Sequence, residues 1–191
     1  MNKVPRVILL IETSRAFGRG FLYGIARYSR IHGPWVFYRE AGGLEKSIPR
    51  LKDWGLDGVI MRNTPKSNNL LELGLPTILV IHGQERQMDF PRVLTDGAKI
   101  SQMAAEHFLD RGYRHFAYCG FSDTPWSQQR GEQFVKTVGQ AGYDTLIYKQ
   151  PKSKARRQWK NEQVFMADWL RSLPKPVGLM AGNDDRGQHV L

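Results

Sequence analysis

One pattern constrains this chain more than any other. Short apolar runs alternate with longer stretches whose apolar residues recur at helical spacing. Arg6–Ile11 is apolar and short, as a buried strand requires. Phe17, Phe21, Leu22, Ile25, Tyr28 and Ile31 then fall every three or four residues, which places them on one helix face. Gly33-Pro34 closes that helix. The rhythm continues with strand-like Trp35–Arg39, a short helix marked by Ile48, Leu51 and Trp54, strand Gly58–Met61, a helix around Leu70, Leu71 and Leu73, strand Pro76–Ile81 and a short strand Arg92–Leu94. Asp96 is placed to cap a helix from Gly97 to Arg111, which Gly112 ends. A second series follows: strand His115–Cys119, a helix marked by Phe134, Val135, Val138 and Ala141, strand Thr145–Tyr148, a helix marked by Phe165, Trp169, Leu170 and Leu173, strand Val177–Ala181 and a helix start at Asp184. Repeated strand–helix units predict an α/β fold with parallel sheets, flanking helices and right-handed crossovers. Two Rossmann-like lobes are expected, residues 5–112 and 113–191. No linker rich in Pro, Gly or Ser separates them, so the boundary reads as a hinge.

Composition narrows the setting. No apolar run approaches the ~20 residues of a membrane helix. The run Val7–Ile11 is too short for a signal-peptide core and no small-residue cleavage site follows, so a cytoplasmic protein is expected. Cys119 is the only cysteine, which excludes an intramolecular disulfide and thiolate metal clusters. It sits in the apolar run Phe116–Cys119 and reads as a small buried hydrophobe. The formal net charge of +10 favours anionic partners. One basic cluster, Lys152, Lys154, Arg156, Arg157 and Lys160, contains no acid and reads as a solvated face.

In open parallel sheets, ligands lie beyond the carboxyl ends of the strands. Those positions hold Glu12, Thr13, Ser14, Arg15, Glu40, Arg62, Asn63, His82, Gly83 and Asp96, then Phe121, Ser122, Asp123, Trp126, Asn183 and Asp184. Polar groups of both signs mixed with aromatics suit a sugar: hydroxyls take hydrogen bonds from Asp, Asn and Arg, and ring faces stack on Trp or Phe. Such a site binds without reacting. A dinucleotide-dependent enzyme is the main rival, since Gly18, Gly20 and Gly24 precede Glu40. The glycines come too late, because a dinucleotide turn needs its first Gly where strand one ends. No G-x-S-x-G elbow, Walker loop or H-E-x-x-H occurs. An enzyme is therefore not expected, nor a cofactor or a metal.

Three stretches in order carry a resemblance: Val93-Leu94-Thr95-Asp96-Gly97, Arg130-Gly131-Glu132-Gln133-Phe134, and Ala181-Gly182-Asn183-Asp184-Asp185-Arg186-Gly187. They resemble the effector-binding domain of the lactose/galactose-repressor family, whose fold is that of type I periplasmic sugar-binding proteins. The last stretch, continued through Leu191, looks like the xylose operon regulators, which join such a sensor to a C-terminal helix-turn-helix pair. The resemblance implies a sugar effector, a pentose such as xylose, contacted by Asp96, Arg130 and Asn183. Ser14, Arg15 and Phe17 would line the same cleft and Trp126 would offer a stacking ring, while Asp184 would cap the next helix. Gln133 departs from the family's glycine before the aromatic. The resemblance also implies a homodimer whose lobes close on sugar, DNA contact through a helix-turn-helix domain missing from this chain, no membrane contact and an incomplete second lobe. A sugar-binding transport protein is the alternative that the same cleft would serve.

Overall fold

A computed structural model of the chain describes residues 3–39, 54–62, 68–81, 90–153 and 159–191. The helix expected around Ile48 and Leu51 lies outside these residues, as do Glu40, Asn63, His82, Gly83, Lys154, Arg156 and Arg157. The described elements fall into two compact units that divide between Leu94 and Thr95.

In the first unit, strands β1 (Arg6–Leu10), β2 (Val36–Arg39), β3 (Gly58–Arg62), β4 (Thr77–Ile81) and β5 (Arg92–Leu94) form a parallel sheet in the order β2-β1-β3-β4-β5. Its central strands are buried on both faces, which is why they read as continuous apolar runs rather than alternating ones. Ile8, Val59, Met61 and Leu79 point to one face and pack with Leu56 and Leu70. Val7, Leu9, Ile60 and Val80 point to the other, beneath Phe21, Leu22 and Ile25 of helix α1 (Ala16–His32). Met61 and Leu79 have no solvent contact, and truncating either to Ala costs about 2–5 kcal/mol. A short helix α2 (Asn68–Leu71) precedes β4. Gly18 is dictated by packing: a Cβ there would overlap the Glu12 carbonyl oxygen, so α1 starts pressed onto the end of β1.

In the second unit, β6 (His115–Cys119), β7 (Thr145–Ile147) and β8 (Val177–Ala181) form a parallel sheet in the order β7-β6-β8. Phe116, Tyr118 and Met180 face helices α3 (Gly97–Asp110) and α4 (Pro125–Gln140), meeting Ala105, Phe134 and Val138. Cys119 and Tyr148 face α5 (Trp159–Ser172), meeting Met166 and Trp169. Helix α6 (Asp184–Val190) follows β8 and packs beside α5.

Two differences from the sequence reading have plain causes. The expected lobe boundary near residue 112 assigns α3 to the first lobe, whereas α3 packs along α4 in the second unit. Periodicity shows that a helix has an apolar face but not which sheet that face meets. Helix α4 also starts at Pro125, well before the apolar signal at Phe134. Its first turns bury Ser127 and Gly131, small residues that carry little hydropathy, and Pro125 at the helix start was the available marker.

Candidate functional site

The strand ends of the first unit hold a polar network. The Glu12 carboxylate after β1 meets Arg62 at the end of β3, with Nη1 to Oε2 at 3.1 Å. Ser14 Oγ donates to the same carboxylate. Arg39 Nη2, at the end of β2, donates to Thr13 Oγ1 at 2.8 Å. Arg19 Nη1 donates to the carbonyls of Thr13 at 2.9 Å and Ser14 at 2.8 Å. Of the predicted residues here, Ser14 joins this network. Arg15 occupies the position just before α1 with extended backbone and makes no side-chain cap. Phe17 is exposed and stacks on Phe21 at 6.4 Å between ring centroids. Glu12, Arg39 and Arg62 are further strand-end groups, and their position at the carboxyl ends was the signal for them.

The second unit brings four predicted residues, Asp96, Trp126, Arg130 and Asn183, near the carboxyl ends of β6 and β8. Arg130, on α4, lies over the Trp126 ring at 5.1 Å and donates from Nη1 to the Gly182 carbonyl after β8 at 2.7 Å. Its stem rests against Gly97 at the start of α3, next to Asp96. Burial lowers the Arg130 pKa from its ordinary value, opposed by the charges of Tyr118 and Asp184. Its Nε is buried with no hydrogen-bond partner among the described residues. Asp96 is exposed and caps α3, accepting from the Lys99 amide at 2.8 Å through Oδ1. Asn183 caps α6, accepting from the Arg186 amide at 2.9 Å. The cap expected at Asp184 is therefore one residue off: Asp184 is the first residue of the helix. Gln133 is half-buried on the helix surface and bonds Thr137 Oγ1 at 3.2 Å, so the departure from glycine there leaves the core undisturbed.

Close packing holds this corner. Tyr118 Oη donates to the Ser127 carbonyl at 2.6 Å, and the Phe121 amide donates to Ser127 Oγ at 2.8 Å. A Cβ at Gly131 would come within 2.7 Å of the Tyr118 ring, which explains the glycine of the second motif. Behind it lies a group the sequence reading missed as a functional element. Arg186 is fully buried and forms an ion pair with Glu162 at 2.8 Å, supported by Gln150. Within the motif only its charge was visible, and charged residues are rarely buried. Cys119 is no nucleophile, since burial pushes its thiol up to about 11. The arrangement offers hydrogen bonds and ring faces.

Residues 105–191 match the periplasmic binding protein-like domain family. Over all of its length the chain is 27% identical to the xylose operon regulatory protein of Escherichia coli strain K12, covering 50% of that protein. It is 27% identical to the Haemophilus influenzae protein of the same description, with 97% of the chain and 50% of the relative covered. The chain thus spans half the length of these curated relatives. A solved xylose-binding transcription activator superposes with a TM-score of 0.81 at 25% identity, over 100% of this chain and 50% of that one. A periplasmic ribose ABC transporter structure from Conexibacter woesei shares the fold, with a TM-score of 0.72 at 17% identity over 98% of this chain and 66% of that one. The fold is α/β of the type I periplasmic-binding-protein-like kind.

Proposed function

We propose that this chain is the effector-binding part of a bacterial transcription regulator and that its effector is a pentose, xylose foremost. The observation that carries the reading is Arg130: a half-buried guanidinium laid on an indole ring, with a buried donor that meets no acceptor among the described residues. A buried donor without a partner costs about 1–3 kcal/mol, which a sugar oxygen would recover. The similarity of 97–100% of this chain to half of each of two xylose operon regulatory proteins supports the choice of sugar. In this reading Trp126 packs on the pyranose face. Asp96 keeps one carboxylate oxygen on its helix and gives the other to a hydroxyl, and the Asn183 amide bonds a further hydroxyl. Ser14, Arg15 and Phe17 contribute from the first unit.

Sugar acts by favouring an arrangement in which both units hold it, and it shifts that equilibrium only by its differential affinity for the two arrangements. The response reaches DNA through a helix-turn-helix domain outside this sequence, in a cytoplasmic homodimer that reads two half-sites. Calorimetry with xylose, arabinose and ribose tests the reading. Arg130→Met should abolish or weaken xylose binding by at least about tenfold, the value of one charged hydrogen bond. Absence of pentose binding to the unaltered protein, or equal xylose affinity in the variant, overturns it.

A further inference from the structure

Three loops leave the carboxyl ends of the second sheet, and one buried side chain links them. Arg186 has no solvent exposure. Its Nε and Nη2 donate to the Gly120 carbonyl after β6 at 3.1 and 3.0 Å. Its Nη2 also donates to Glu162 Oε1 on α5 at 2.8 Å. Gln150, after β7, donates from Nε2 to the two oxygens of that carboxylate at 3.0 and 3.3 Å. The Oε1 of Gln150 accepts from the Ser122 amide at 2.8 Å and from Ser122 Oγ at 3.1 Å. Arg186 itself sits in the first turns of α6, where Asn183 caps its amide.

The guanidinium also has a flat face, and Phe121 lies against it at 4.5 Å. Phe121 meets Trp126 edge to face, with centroids 6.2 Å apart at 66°. Trp126 carries Arg130 at 5.1 Å. Two cations therefore bracket two rings along Arg186, Phe121, Trp126 and Arg130, from the buried interior to the residues assigned to sugar. A phenyl ring makes no hydrogen bond of its own, so its orientation is set by what lies against its faces and edges. A guanidinium held by a carboxylate and a carbonyl has one orientation, because its donors form a rigid fork.

We infer that Arg186 is a positioning residue: through Phe121 it sets the placement of Trp126 and Arg130, while Gln150 fixes Ser122 from the same carboxylate. The inference rests on the reading of the chain as a pentose sensor, and it assigns the ligand-side geometry to a charge that never touches ligand. A buried ion pair used only for stability would need neither the stacked ring nor the link to Ser122. Lysine in its place keeps a charge near Glu162 but has no flat face and no fork.

The test uses the full 191-residue chain with Arg186→Lys, Gln150→Leu and Phe121→Leu, read by hydrogen exchange and by xylose calorimetry. Arg186→Lys should retain the far-ultraviolet dichroism of the fold, speed amide exchange across residues 120–126, and weaken xylose binding about tenfold at unchanged stoichiometry. Gln150→Leu should speed exchange at Ser122, whose amide loses its acceptor, with a smaller loss of affinity. Unchanged exchange and affinity in Arg186→Lys overturn the inference. If that variant does not fold, Phe121→Leu decides. It keeps the ion pair and should weaken xylose about as much, and an unaltered affinity refutes the relay. If the unaltered chain binds no pentose, the function assigned above fails, and exchange across residues 120–126 still decides whether Arg186 positions the loop.

Discussion

Replacing Glu162 with leucine isolates what the buried pair contributes to stability. Side-chain exposure is 0% for Arg186 and 6% for Glu162, so neither charge has water to fall back on. Removing one partner of such a pair costs about 3–5 kcal/mol, because the other charge stays buried and uncompensated. Two local effects adjust that figure. The Gly120 carbonyl still accepts from Arg186, which softens the loss. Gln150 Nε2 loses both oxygens that it bonds, which adds about 1 kcal/mol. We therefore expect a loss of about 3–4 kcal/mol from the second unit. The double change Glu162→Leu with Arg186→Met removes both charges and should recover most of that loss, since apolar replacements of buried pairs are often neutral or better. Urea unfolding followed by tryptophan emission and far-ultraviolet dichroism provides the assay. With a slope of roughly 2 kcal/mol/M, the single variant should move its midpoint down by about 1.5–2 M. A shift below about 0.5 M, or a double variant no more stable than the single one, would refute the reasoning.

Three further outcomes follow from the same geometry. Asp96→Ser should keep the α3 cap and its stability, while Asp96→Ala should lose about 1 kcal/mol; both should weaken xylose if the second carboxylate oxygen serves ligand, and full affinity in Asp96→Ser removes Asp96 from the site. Cys119 should resist a thiol reagent in the native protein at mildly alkaline pH, since it is fully buried with its pKa at about 11, and should react on unfolding; fast native labelling contradicts that burial. Burial, then the Arg186 charge, lowers the His189 pKa from 6.5. The unfolded chain thus binds the proton more readily, and the contribution of His189 to stability is complete above pH 6.5 and declines as pH falls through that value toward the folded pKa. Proton resonance titration should give His189 a midpoint under 6.5, and a midpoint at or above it excludes the effect.

The sequence made the strands legible and the allegiance of the helices less so. His115–Cys119 and Val177–Ala181 are read with the bounds they have, because strands covered on both faces are short apolar runs, and the exposed edge strand Arg92–Leu94 is read with its bounds as well. The α/β class and parallel sheets follow from the alternation itself. Where α3 packs was not legible, because its apolar stripe fits either sheet equally well. In the site, Arg130, Trp126, Asp96 and Asn183 stood out through motif position and strand ends. The Asp96 cap was legible as well, but two local duties are visible only in three dimensions: Asn183 rather than Asp184 caps its helix, and Arg130 lies on Trp126. Arg186 was hidden for a physical reason. Its partner Glu162 is 24 residues away on another helix, and no periodic signal marks a charge whose burial depends on a distant carboxylate.

The division between Leu94 and Thr95 also has a consequence for biosynthesis. Every described strand of the first sheet lies within residues 6–94, and every described strand of the second within residues 115–181. A ribosome therefore makes all strands of the first sheet before it makes any of the second. At roughly 5–20 residues per second, the residues from Thr95 to Leu191 take several seconds or more to translate. Hairpin and loop-closure steps take microseconds, so the first five-stranded sheet has time to pair while β8 is still unmade. Had the boundary followed α3, the first unit would have waited for that helix. Because α3 belongs with β6, the nascent first sheet depends on nothing downstream of Leu94 for its own strand pairing, and the hydrophobic face of α3 emerges together with the α4 segment that covers it.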